Sequence, residues 1–220
     1  MYPLMLFAFI GYLIGAIPFG FILGKIFLKT DVRKIGSKSI GATNVLRLGN
    51  KWVALAAMVL DIAKVYIAWL VVQTLIYKMY GYFASAILIG MYGLQLKMIV
   101  AAAALIGHCF PIYVGFKGGG KGVSCFGGLL ILLYPLLFVY AFATWLLLLV
   151  VIKISSLAAL ITGALLPLYV TLFAKLPSAD KAIFTWYVIA LVLFVVLRHA
   201  GNIRRLIKGE EDKVKLGKKK

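Results

Sequence analysis

The sequence predicts an all-α, polytopic integral membrane protein with seven transmembrane helices, its amino terminus outside and its carboxyl terminus in the cytoplasm. Three observations carry that reading. Of 220 residues, 64% are hydrophobic and only 14% charged, with a mean hydropathy of +1.06, a balance that excludes a water-soluble domain of this length. The apolar residues fall in runs long enough to cross about 30 Å of hydrocarbon. The cations, 24 against 6 acids, are spread unevenly over the segments between those runs.

The first run, 3–24, is uncharged, follows no basic residue and shows no small-residue cleavage pattern, so it reads as a retained span rather than a signal peptide. Further runs give spans at 52–77, 98–115, 154–174 and 182–198. The run 123–152 holds 30 uncharged residues, long for one crossing and short for two. Pro135 near its middle would end or kink a helix, which suggests spans at 123–134 and 136–152. Charge arbitrates. With seven spans, one side holds seven cations in 25–52, Lys117 and Lys121, Lys153, and nine cations from Arg198 onward; the other keeps only Lys78, Lys97, Lys175 and Lys181. Six spans would send the tail to the face opposite the first two basic segments. The stretch 78–97 has an apolar middle of 13 residues, 82–94, too short to cross, and is expected as an external loop or surface-lying helix. The tail 208–220 is expected to be frayed, with closing lysines suited to anionic lipid. Nothing subdivides the chain, so 1–220 is read as a single membrane-embedded domain.

Three polar clusters interrupt the oily runs: 36–47, 116–122 and 199–205. None contains a carboxylate. Backbone N–H groups, hydroxyls and cations gathered without acids suit anions, phosphate above all. In the first, Ser37, Ser39, Thr43 and Asn44 offer short-range hydrogen bonds and Arg47 suits a bidentate grip on phosphate; an ordinary interfacial loop is the plainer reading. The second, Lys117-Gly118-Gly119-Gly120-Lys121-Gly122, nearly completes a Walker A loop from Gly115. Gly122 stands where Ser or Thr should hold Mg²⁺, and the segment follows an apolar helix rather than a strand, so a nucleotide P-loop is rejected. Consecutive glycines with no evident packing purpose argue for function here. In the third, His199 and Asn202 share a helix face. His199 reads either as an interfacial anchor or as a proton acceptor or donor near neutral pH. His108 reads as a helix-packing residue, Asp61 and Lys64 as a structural ion pair within a span, and Cys109 and Cys125 as buried small hydrophobes.

Taken together, four stretches resemble the PlsY-type acyl-phosphate:glycerol-3-phosphate acyltransferases. They are Gly15-Ala16-Ile17-Pro18-Phe19-Gly20; Ile35-Gly36-Ser37 with Gly41-Ala42-Thr43-Asn44-Val45-Leu46-Arg47; Gly107-His108-Cys109-Phe110-Pro111 with Phe116-Lys117-Gly118-Gly119 and Lys121-Gly122-Val123; and His199 with Asn202-Ile203-Arg204-Arg205-Leu206 and Gly209-Glu210-Glu211. The resemblance runs the whole chain in order. It implies a bacterial inner-membrane enzyme, its active site on the cytoplasmic side, that moves an acyl chain from acyl phosphate to the 1-hydroxyl of glycerol 3-phosphate. The products are lysophosphatidic acid and phosphate, the first acylation of phospholipid synthesis. By the same resemblance His199, Asn202 and Ser37 are expected to be catalytic. Arg47, Lys117, Gly118, Gly119, Gly120, Lys121, Gly122, Ser39, Thr43 and Asn44 are expected to bind the phosphorylated substrates. No cofactor and no metal is expected. The expected partners are glycerol 3-phosphate, acyl phosphate and the lipid bilayer, with the enzyme that makes acyl phosphate a candidate; no nucleic acid is involved and the chain is expected to be a monomer.

The chain departs from the family's pattern in places. Lys38-Ser39 stand where the family usually has Gly-Asn, the stretch after Arg47 is one residue short, an extra glycine lies between Lys117 and Lys121, and Ala200-Gly201 replace a commonly charged pair. Which lysine meets which phosphate, and whether His199 or a substrate phosphate is the base, stay open at this level. The H-x-x-x-x-D signature of thioester-dependent acyltransferases is missing, since Tyr113 follows His108 and Arg204 follows His199 at that spacing. The alternatives from other classes are an organic-anion transporter, against which stand the lack of an inverted repeat and charges gathered at one surface, and a lipid-binding structural protein.

Overall fold

The computed structural model describes residues 2–214, and every regular element among them is a helix. The chain folds as two compact units that divide between Leu133 and Tyr134. The first contains α1 (Tyr2–Gly15), α2 (Phe19–Leu28), the short α3 (Ala42–Leu46), α4 (Lys51–Cys109) and α5 (Val123–Leu133). α1 and α2 belong to one apolar stretch interrupted at Pro18, whose ring and missing N–H stop a helix from running through.

α4 is two limbs rather than one rod. Gly81 breaks it with φ 72° and ψ 170°, a conformation essentially reserved for glycine. The stretch 78–97, expected as an external loop or surface-lying helix, is therefore helical on both sides of a one-residue break. Ser85 Oγ donates to the Ile76 carbonyl at 3.0 Å across it, satisfying an acceptor that the break would otherwise orphan. Lys97, whose charge suggests a boundary in the sequence, lies inside the second limb with its ammonium 5.5 Å above the Trp69 ring of the first. The limb that the sequence begins at 98 thus begins directly after Gly81.

Small residues set the spacing in this unit. A side chain on Gly11 or Gly15 of α1 would strike the backbone of Val100 or Ala104 in the second limb, and one on Gly107 would strike the Tyr12 carbonyl. Gly128 of α5 bears the same relation to the Ile62 carbonyl in the first limb. Helices in lipid gain by such close backbone approach, because no hydrophobic effect drives them together.

The second unit contains α6 (Pro135–Ile152), α7 (Ser155–Phe173), α8 (Ser178–Arg198) and α9 (Ala200–Ile207). The long run 123–152 divides where Pro135 opens α6 at the position in which its missing N–H does no harm, and Tyr134 before it is non-helical, with φ -156° and ψ 87°, in keeping with the bar that proline sets on the α region of the residue before it. α6 and α7 meet through Tyr140 on Phe173, ring centroids 4.3 Å apart, and through a 2.8 Å bond between Thr144 Oγ1 and the Tyr169 hydroxyl. Among the described residues, five helical stretches are long and apolar enough to cross a bilayer: Pro3–Leu28, Lys51–Val114, Pro135–Ile152, Ser155–Phe173 and Ser178–Arg198. The second of them holds both limbs of α4, and α5 is a shorter apolar helix.

Gly81→Ala should lower stability in detergent by about 1–3 kcal/mol, the order of cost for a side chain forced into that backbone region. No atom lies within 4 Å of the added Cβ, so the loss would be of backbone origin alone. Gly90→Ala, equally open but without a positive φ, should instead be neutral or stabilising by up to about 1 kcal/mol. Thermal unfolding of the two variants beside the wild type checks both.

Candidate active site

The first cluster lies in the connection between α2 and α4, and Asn44 fastens it. Its Oδ1 accepts the Ser37 N–H at 3.0 Å, and its Nδ2 donates to the carbonyls of Val32 at 2.7 Å and Ser39 at 2.8 Å. Both amide N–H groups of this 2% exposed side chain are committed to the loop, so Asn44 serves the loop's shape rather than offering donors outward. Beneath lies an apolar floor of Val32, Ile40, Val45, Val53, Ala54 and Ala57. Above it the Ser37 and Ser39 hydroxyls stand 3.1 Å apart. Arg47 lies along Gly36: a Cβ there would come within 2.9 Å of both its Cδ and its Nη1. Thr43 is in the first turn of α3. Lys38 adopts φ 54°, a left-handed conformation that costs a non-glycine residue on the order of 1 kcal/mol.

One acid, Asp31, comes near this cluster in sequence, and it is neutralised on the spot. Its Oδ1 accepts from the Arg33 N–H and Nε, both at 3.0 Å, and its Oδ2 from Nη2 at 2.8 Å. The guanidinium hydrogen bonds hold the Asp31 carboxyl down at about 2, so it stays ionised and paired.

The glycine loop docks onto this segment. The Ile40 N–H donates to the Gly118 carbonyl at 2.9 Å. The run of glycines, taken from the sequence to lack a packing purpose, has one at each position. Gly118 sits at φ 70° with the Arg33 side chain against its α-carbon, a Cβ on Gly119 would strike the Cys109 carbonyl, and one on Gly120 would strike the His108 imidazole. The Gly120 N–H is turned inward to the His108 carbonyl at 3.0 Å. Gly122 is buried, Lys121 is partly buried and Lys117 exposed. Behind the loop, Asp61 and Lys64 form the expected pair at 2.8 Å, and His108 joins it through a 3.0 Å contact to the ammonium. Asp61, His108 and Cys125 bring potential metal-ligand atoms within 4.8 Å of one another, and the Lys64 ammonium already supplies a cation beside Asp61 and His108. Cys125 also donates its S–H to the Asp61 carbonyl at 3.2 Å.

In the second unit the third cluster forms the turn from α8 into α9. His199 Nδ1 lies 2.8 Å from the Val195 carbonyl. A carbonyl only accepts, so Nδ1 carries a proton and the neutral ring has its lone pair on Nε2. Asn202, 3% exposed, donates to Glu211 Oε1 at 2.6 Å. The same carboxylate accepts from Ser156 Oγ at 2.8 Å and, through Oε2, from Arg205 Nε at 2.6 Å. The Val214 N–H reaches the Lys153 carbonyl at 2.7 Å. Residues 208–214, expected to fray, are thus tied back to the start of α7; the remainder of that expected frayed tail, 215–220, lies outside the described residues.

The family model described as glycerol-3-phosphate acyltransferase matches residues 5–209. The chain belongs to that family. The acyltransferase is 42% identical to the glycerol-3-phosphate acyltransferase of Rhodospirillum rubrum, over 96% of this chain and 91% of that protein. It is 40% identical to that of Campylobacter jejuni subsp. doylei, over 97% and 100%. Two crystal structures of PlsY, an integral membrane glycerol 3-phosphate acyltransferase, share its fold. The glycerol 3-phosphate form has a TM-score of 0.76 and 28% identity, and the lysophosphatidic acid form 0.74 and 26%; each comparison covers 96% of this chain and 94% of the other. An acyltransferase thereby displaces the anion-transporter and structural-protein readings.

Glu211 carries no role in the sequence reading, although it lies in a stretch that carries the family resemblance. Its meaning comes from the turn at Gly209, which returns the chain to Asn202 and Ser156. Burial raises its affinity for a proton, but hydrogen bonds from Asn202, Ser156 and Arg205 outweigh this and hold the carboxyl below its ordinary value. A depressed folded pKa means stability that is present above the ordinary value near 4.5 and is lost as pH falls through and below it. Glu211→Gln should therefore lower the melting temperature at pH 7, by about 1–3 kcal/mol of stability. It should also remove part of the acid-dependent loss below pH 4.5, as melting curves over a pH series would read.

Proposed function

We propose that this acyltransferase takes its acyl group from acyl phosphate and delivers it to the 1-hydroxyl of glycerol 3-phosphate on the cytoplasmic side of a seven-span protein. The observation that carries the reading is the interlocked pair of loops. Arg47, Ser37, Ser39 and Thr43 stand on one and Lys117 and Lys121 on the other, held to it by the Ile40–Gly118 bond, while the nearby acid is paired off by Arg33. Both substrates bring phosphate dianions, and such a frame binds dianions without a metal.

In the reaction the 1-hydroxyl oxygen attacks the acyl carbonyl carbon, the bond from that carbon to the phosphate oxygen breaks, and phosphate leaves with the electron pair. The role proposed for His199, from the family resemblance, is to accept the hydroxyl proton at Nε2, the lone-pair nitrogen of the neutral ring, and Asn202 follows it on α9. Arg47 and the loop lysines bind and align phosphate, and alignment supplies much of the acceleration. Gly118, Gly119, Gly120 and Gly122 let the loop pack close against Arg33, Cys109 and His108 and so hold Lys117 and Lys121 in place, and Asn44 acts by holding the Ser37 backbone. The partners are glycerol 3-phosphate, acyl phosphate, surrounding lipid and the enzyme that makes acyl phosphate, with the chain acting as a monomer.

Purified protein supplied separately with acyl phosphate, acyl-CoA and acyl-carrier protein should make lysophosphatidic acid from the first alone; equal turnover with a thioester overturns the donor. Arg47→Ala should raise the apparent KM for a phosphorylated substrate, whereas His199→Ala should lower kcat by roughly 10²-fold or more without unfolding the protein. An anchoring histidine would leave kcat unchanged.

The seven crossings proposed are α1 with α2, the two limbs of α4, and α5 through α8. The excess of cations assigned to one side by that count sets the orientation. A reporter fused after Lys220 should be cytoplasmic and a cysteine at position 178 should be labelled from outside; a periplasmic tail contradicts the count.

A further inference from the structure

Three ionisable side chains, Asp61, Lys64 and His108, are buried among apolar helices and have no role in the proposed chemistry. None is more than 2% exposed. Charges inside a membrane protein are costly and are commonly retained for function, while a buried ion pair by itself contributes little or nothing to stability beyond an apolar replacement.

The geometry of the three is directional. The Lys64 ammonium has three partners: Asp61 Oδ1 at 2.8 Å, His108 Nδ1 at 3.0 Å and the Ile17 carbonyl at 3.1 Å. An ammonium only donates, so beside a charged Lys64 Nδ1 accepts and the ring proton is on Nε2, while the same Nδ1 lies farther from Asp61 Oδ1, at 3.5 Å. One cation thus joins the α1–α2 turn, the first limb of α4 and the end of the second. The ring it orients lies directly against Gly120, where a Cβ would collide with Nε2, and the His108 carbonyl accepts the Gly120 N–H at 3.0 Å. The Asp61 carbonyl in turn accepts Cys125 Sγ at 3.2 Å, from the helix into which the glycine loop runs.

We propose that Asp61, Lys64 and His108 are positioning residues: from behind the glycine loop they set the placement of residues 118–122, and hence of Lys121, relative to the phosphate that the loop receives. They act without touching substrate. This inference rests on the proposed acyl transfer, and its test includes a readout that needs no turnover.

Lys64→Met alone would strand a buried carboxylate, so the informative variant is the double change Asp61→Asn/Lys64→Met, which removes both charges at similar volume. It should retain a melting temperature close to the wild type, since a buried pair replaced as a pair is often neutral. Its kcat/KM should nevertheless fall by about 10- to 100-fold, the scale of a misplacement near 1 Å. Amide exchange read by mass spectrometry should accelerate about tenfold or more in the peptide spanning 117–122 while α1 and α4 stay protected. His108→Asn, whose amide oxygen can replace Nδ1 as acceptor for Lys64, should recover most of the turnover that His108→Leu loses, and this pair decides the matter if the double variant does not fold. Wild-type kinetics and wild-type loop exchange in a folded double variant would overturn the proposal. So would exchange that rises throughout the first unit, or equal losses in the two His108 variants. Wild-type protein inactive with acyl phosphate counts against the proposed donor instead, and loop exchange then judges the network alone.

Discussion

A polar loop packed against apolar helices must satisfy its buried backbone within the protein, because a buried amide without a partner costs several kcal/mol. This protein meets the constraint with a few multivalent fasteners. Asn44 holds three backbone groups of the first cluster. The His108 carbonyl takes the Gly120 amide. Glu211 gathers Ser156, Asn202 and Arg205 in the second unit. Each fastener is buried or nearly so, and the side chains suited to substrate stand on the backbone that it holds.

The same economy governs charge. With a formal net charge of +18, the chain has few acids, and Asp31, Asp61 and Glu211 are each matched within 3 Å to a cation: Arg33, Lys64 and Arg205 respectively. Of these pairs, the one at Asp31 removes negative charge beside the first polar cluster, as the proposed binding of a dianion requires. A lone carboxylate beside Arg47 or Lys121 would compete with phosphate for the same guanidinium or ammonium.

Glycine does two separate jobs. At Gly81 it supplies a backbone angle, making a helical hairpin without a loop. At Gly119 and Gly120 it supplies the absence of a side chain, letting the second cluster lie against Cys109 and His108. Lys38 shows the converse: a left-handed position that favours glycine is filled by a lysine, and Asn44 holds the backbone of its neighbours Ser37 and Ser39.

Composition and run length were enough to read the helical membrane class, and the order of Ser37, Arg47, Lys117, Lys121, His199 and Asn202 along the chain was enough to read the family. These are local properties, carried by residue type and spacing. The break at Pro135 was legible for the same reason, since proline acts on its own turn and the one before it. The hairpin at Gly81 was not, because nothing in the sequence distinguishes a glycine that must take a positive φ from one, such as Gly90, that sits within a helix. Nor were the packing of Gly120 on His108, the reach of Lys64 to Ile17 across 47 residues, or the return of Glu211 to Asn202 and Ser156. Those depend on which backbones approach one another in space, and hydrophobic periodicity carries no information about partners so distant along the chain.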